Sequence, residues 1–303
     1  MILQCALAMR TGLKDALAVV PSAHRKPFWL YPNLLSLDAP LVAVAWLYIF
    51  AKTWRVDYLP WVAYVSLACV TWVIYVTARL LDASLRDGTA ARLHPRHEFY
   101  RKYQVLLRNI ALVAGLGSVA LAVVGLPTTI YSYGLLGAVM LVGFFALSVF
   151  STVEPDHLPY GRNILAGMCF AYGTAMSAHA FTRFGAGDLL VSSELICFVV
   201  LCILHISAIG LWDCANTAGD LETKAANELA LTLPLTLLGG AALVFAFNES
   251  EITTRPFFYA ILTGAALLQI LNRIRARFSM DGLRVLAGFT LLAPVVVFWV
   301  SSS

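Results

Sequence analysis

Apolar runs of bilayer length recur along nearly the whole of this chain and leave it few ways to fold. A helix crossing a hydrocarbon core of roughly 30 Å needs about 17–25 mostly apolar residues. By that criterion residues 33–53, 60–81, 105–125, 127–151, 163–183, 189–212, 229–248, 256–273 and 283–300 form nine predicted spans. The composition agrees, because 60% of the 303 residues are hydrophobic and only 13% are charged, outside the range of a water-soluble domain. The expected fold class is all-α, a polytopic membrane protein whose residues 29–303 make one nine-helix bundle. Residues 1–28 carry Arg10, Lys14 and Asp15 within an apolar stretch and lack a clean signal-peptide pattern, so they read as an amphipathic helix at the membrane surface.

The cations orient this topology. Nine spans put the termini on opposite sides, and 17 of the 21 Lys and Arg residues fall on the side of the N-terminus. Only Lys52, Arg55, Arg183 and Arg255 fall on the other. The positive-inside rule then predicts a cytoplasmic N-terminus and an outer C-terminus, as in a bacterial inner-membrane protein. The net charge of +4 is thereby a topology signal and gives no reason to invoke nucleic acid.

Two acidic clusters, Asp82 to Asp87 and Asp213 to Glu222, directly follow the second and sixth predicted spans. Four spans separate them, so both belong to the cytoplasmic face. Carboxylates gathered at one membrane face suit Mg²⁺ bridged to the oxygens of a lipid diphosphate, because Mg²⁺ takes hard oxygen ligands. In the first cluster Arg79, Asp82 and Arg86 share one helical stripe at i, i+3 and i+7. In the second, Asp213, Asn216 and Asp220 repeat that spacing, with Lys224 one turn later. The plainer alternative for both is an ordinary charged helix end.

The connection before the fifth predicted span adds Glu154, Asp156, His157 and Arg162, with Tyr160 and Asn163 beside the arginine. A guanidinium there can grip a diphosphate with two parallel hydrogen bonds, or it can simply anchor the helix end. Two ionisable groups lie deeper. Asp38, after Asn33 and Ser36, needs a cavity or a partner, whereas His205 is expected to be a hydrogen-bonded interior histidine, with a role in binding the acceptor as the alternative. The six cysteines are scattered without a C-x-x-C pair and read as packing residues.

Nine spans with polar motifs after the second and sixth resemble the UbiA superfamily of intramembrane prenyltransferases, whose first motif reads N-D-x-x-D-x-x-x-D. The tract Leu158-Pro159-Tyr160-Gly161-Arg162, with Gly167 and Gly173, looks like the segment leading into that family's fifth span. Thr232-Leu233-Pro234 and Gly239 echo a pattern after its second motif. Aligning Asp82 with the central Asp of the first motif places Ala78 at its Asn, Arg79 at its first Asp and Arg86 at its last, with Asp87 one residue out of register. Asn216 and Asp220 look like the paired acids of the second motif, the first changed to an amide.

The resemblance implies a divergent prenyltransferase that moves an isoprenyl chain from its diphosphate to a small aromatic or lipidic acceptor inside an apolar cavity. Asp82, Asp87, Asp213 and Asp220 would hold Mg²⁺, assisted by Asn216, while Arg79, Arg162 and Lys224 would stabilise the departing diphosphate. A guanidinium at a former ligand position leaves a second class open, a non-catalytic lipid-binding or partner protein on the same fold. A transporter fits less well, since the charged groups collect at one face and transporter sites lie near the midplane.

Overall fold

The computed structural model describes residues 30–85, 95–153, 159–217, 221–249 and 254–302. The chain divides into Met1–Tyr31 and Pro32–Ser303, and the structural description below concerns the second unit. All its regular structure among the described residues is helical. In chain order the helices are α1 (Tyr31–Leu34), α2 (Asp38–Thr53), α3 (Trp61–Leu85), α4 (Pro95–Lys102), α5 (Gln104–Gly125), α6 (Ile130–Val153) and α7 (Pro159–His179). They continue as α8 (Ala186–Val191), α9 (Ser193–Thr217), α10 (Leu221–Asn248), α11 (Arg255–Ile274), α12 (Met280–Leu292) and α13 (Pro294–Ser302), with one 3₁₀ turn at Arg275–Arg277.

Seven of the described segments are long and apolar enough to cross a membrane: Trp61–Ser84, Gln104–Gly125, Ile130–Phe150, Ser193–Asp213, Glu228–Asn248, Arg255–Arg277 and Met280–Ser302. The other two predicted spans are helices as well, α2 and α7, but neither meets that standard. With 16 residues, α2 extends only about 24 Å. The 21-residue α7 is long enough but is interrupted by Arg162, Asn163, Thr174, Ser177 and His179. Within the predicted 283–300 run, Pro294 starts a new helix, because its ring nitrogen has no N–H to continue the preceding one.

The packing accounts for these two exceptions. α2 contacts α3, α7, α11, α12 and α13 and is apolar on all sides, the pattern of an enclosed helix. Trp46, Leu47, Ile49 and Phe50 on it are fully buried. The Trp46 ring stacks on Phe198 of α9 with centroids 4.3 Å apart, and its Nε1–H donates to the Leu291 carbonyl of α12 at 2.8 Å. α7 packs between α2, α6 and α9, where a Cβ at Gly167 would lie 2.7 Å from the Ile203 backbone nitrogen. Glycine is what allows α7 and α9 to cross this closely.

The periphery is different. Val113, Leu116 and Val124 on α5, and Leu135 and Val142 on α6, stand well exposed, the apolar exterior that a lipid phase covers. α5 rests on α3 and α6 rests on α7, while α5 and α6, consecutive and joined only through residues 126–129, scarcely touch each other.

Candidate functional site

The segment leading into α2 builds one wall of the site. Ser36 is fully buried and adopts a left-handed backbone, φ 56°, unusual for a residue with a side chain. Its hydroxyl meets the Tyr100 hydroxyl of α4 at 2.9 Å, and the Trp72 Nε1–H of α3 donates to the Leu35 carbonyl at 2.9 Å. Fixed in this way, Asn33 turns its side-chain amide to donate to Asp38 Oδ2 at 2.7 Å, while its backbone carbonyl accepts from Arg79 at 3.2 Å. The Arg79 guanidinium also lies 5.8 Å from the centre of the Tyr100 ring, a cation–π contact.

One turn further along α3, Asp82 accepts a hydrogen bond from Arg162 of α7 at 2.7 Å. Both side chains are a little over one fifth exposed, so the pair sits at a mouth rather than in the dry interior.

These groups rim a cavity of about 500 Å³. Asn33, Asp38, Arg79, Asp82, Arg162 and Arg284 all line it, with Tyr75, Asn163 and His205 beside them. The remaining wall is largely apolar and includes Val42, Leu67, Ile74, Leu126, Phe144 and Phe170. Its charged side chains come from the start of α2, the end of α3 and the starts of α7 and α12. Elsewhere the lining mixes apolar residues such as Leu126 and Ile130 with Ser66, Thr174 and Ser177, whose hydroxyls donate back to their own helices. Gly173 also borders the cavity, and a Cβ there would meet nothing within 4 Å.

Of the residues singled out from the sequence, Asp38, Arg79, Asp82, Arg162, Asn163 and His205 come together here. Asp213, in the last two turns of α9, is exposed and does not line the cavity. Asn216 and Lys224 lie on α9 and α10, but their side chains, like the whole of Asp87, Asp220, Glu154, Asp156 and His157, lie outside the described residues. Arg284 and Asn33 join the site without having been assigned to it. The clue for Asn33 was its place before the buried Asp38; Arg284 stood out only as a cation within the bounds of an apolar run.

The root of the second polar connection has its own network. Asn272 of α11 is buried, and its Oδ1 accepts from Trp212 Nε1 at 2.9 Å and from Arg275 at 3.0 Å. Its amide donates to the Thr232 hydroxyl of α10 at 3.3 Å, so the three helices beneath Asp213 are held by one amide.

The fit to Mg²⁺ is incomplete among the described residues, which contain no group of three potential ligands. Asp82 is engaged by a guanidinium and Asp213 stands off the cavity, so these two carboxylates do not converge on one ion. The lining holds three guanidinium groups, Arg79, Arg162 and Arg284, and two carboxylates, Asp38 and Asp82; Arg162 is paired with Asp82 and Arg284 with Asp281 of α12 at 3.5 Å, and guanidinium groups gathered in this way can meet an anionic group. No family model, curated protein or solved structure matches this chain.

Proposed function

We propose that the cavity binds an isoprenyl diphosphate from the bilayer, with the diphosphate at Arg79, Arg162 and Arg284 and the chain along the apolar wall. The observation that carries this reading is the cavity's polarity, with guanidinium groups lining a largely apolar volume of about 500 Å³. On this reading the two helices that fall short of a span, α2 and α7, complete a nine-helix UbiA-like bundle with its N-terminus in the cytoplasm.

In the transfer we propose, the allylic carbon–oxygen bond breaks and the diphosphate leaves with the electron pair. An electron pair of a small aromatic or lipidic acceptor forms the new bond to that carbon, and the acceptor's proton passes to the departing diphosphate. The guanidinium groups stabilise the growing negative charge, and the apolar wall keeps water from the cation. Mg²⁺ held by carboxylates would add charge neutralisation where the diphosphate departs.

A second reading, binding without transfer, is favoured by one contact. Asp82, the central acid of the first motif, is already paired with Arg162 at 2.7 Å. The deciding experiment incubates the purified full chain with labelled farnesyl or geranylgeranyl diphosphate and a panel of phenolic and lipidic acceptors, with Mg²⁺ or with EDTA. Released diphosphate together with a labelled product supports transfer. Saturable binding without product supports the second reading, and absence of binding removes both.

A further inference from the structure

We infer that the inner end of the polar region, at Asp38 and His205, is a separate subsite for a hydrogen-donating group, a hydroxyl carried on an apolar body. Two buried atoms carry the inference. Asp38 Oδ1 and His205 Nε2 have no hydrogen-bond partner among the described residues, and both side chains line the cavity. Asp38 is held by the Asn33 amide, which donates to its Oδ2 at 2.7 Å.

Both residues line the cavity together with Gly288 of α12, where a Cβ would lie 3.9 Å from Asp38 Cβ. His205 Nε2 accepts or donates according to its tautomer, and a hydroxyl answers either.

Asp38 Oδ1 is an acceptor, so the subsite asks for a donor, and a hydroxyl that donates there can also pair with the imidazole. A hydroxyl supplies one, two hydroxyls on one ring supply two, and an ether supplies none. A carboxylate is disfavoured by the charge of Asp38. Burial makes the discrimination steep, because a ligand without a donor leaves this acceptor desolvated and unpaired. Calling this ligand the acceptor of the transfer rests on the function proposed above; the subsite itself does not.

The test uses the full chain in nanodiscs and measures binding of 4-propylcatechol, 4-propylphenol, 4-propylanisole and 4-propylbenzoate. The catechol is expected to bind most tightly, and the phenol at least tenfold more tightly than the anisole or the benzoate. His205→Phe and Asp38→Asn should each bring the preference for phenol over anisole below threefold. His205→Gln, which keeps an acceptor oxygen, should restore part of it. Farnesyl diphosphate is titrated in parallel, and Asp38→Asn should leave its affinity unchanged or raise it, since a negative charge is removed from beside the arginines. Equal binding of phenol and anisole by the wild type overturns the inference, as does undiminished preference in both His205→Phe and Asp38→Asn. Failure of farnesyl diphosphate alone to bind counts against the diphosphate reading and not against this subsite.

Discussion

Arg162 and Asp82, 80 residues apart in sequence, join the start of α7 to the end of α3 through a 2.7 Å charged hydrogen bond at the cavity mouth. This contact ties up one of the arginines proposed to meet an anionic head group. It therefore opposes binding in the arginine reading. Asp82→Asn should release Arg162 and tighten farnesyl diphosphate binding several-fold in EDTA, measured by thermal stabilisation. In the metal reading the same change abolishes the Mg²⁺-dependent part of the stabilisation, so the sign of the effect separates the two.

Removing a guanidinium should have the opposite result. Arg79→Ala and Arg162→Ala are each expected to weaken diphosphate binding by about 1.5–3 kcal/mol, the range for hydrogen bonds to charged groups. Arg79→Lys should recover only part, since an ammonium cannot reproduce the planar two-pronged contact. Unchanged affinity in both alanine variants would rule out direct contact.

Packing makes a sharper prediction at two glycines of the same helix. Gly167→Ala places a methyl group against the Ile203 backbone of α9 and should cost about 1–3 kcal/mol in unfolding from mixed micelles. Gly173→Ala enters open space and should leave stability close to wild type. Equal effects from both changes would contradict the close crossing of α7 and α9.

Trp46 fills the centre of the bundle. Trp46→Ala should cost about 3–5 kcal/mol, as for other large aromatic deletions. Trp46→Phe should cost less while leaving the Leu291 carbonyl without its donor. The same unfolding measurement checks both.

Topology is tested by single cysteines at Ala90, Ala218 and Ile252 in a cysteine-free background. The first two should label from the cytoplasm and the third from outside, following the distribution of 17 of 21 cations on one side. Ala90 and Ala218 labelling from opposite faces would break the two-motif reading.

How much of this could be read in the sequence differs from residue to residue. Arg79 and Asp82 were legible because helical period alone puts them on one stripe, and α3 does continue to Leu85. Their partners were not. Nothing local links Asp82 to Arg162, or the Asn33 carbonyl to Arg79, since such pairs are set by how helices cross. Hydropathy predicted a span at 33–53 because it reports apolarity, and a helix shielded by five others is as apolar as one facing lipid. The same measure ran through Pro294, whose effect is on backbone hydrogen bonding rather than hydrophobicity. His205 was expected to be a hydrogen-bonded interior histidine, yet its Nε2 has no hydrogen-bond partner among the described residues.

The separation of α5 from α6 changes what the cavity's size means. Leu126, Ile130 and Phe144, from these helices and the turn between them, belong to the cavity lining, while the two helices lean on different neighbours. A container with a seam in its side does not measure its contents. On the function proposed above, the volume of about 500 Å³ therefore sets no upper limit on the length of a chain whose tail trails outward among the lipids.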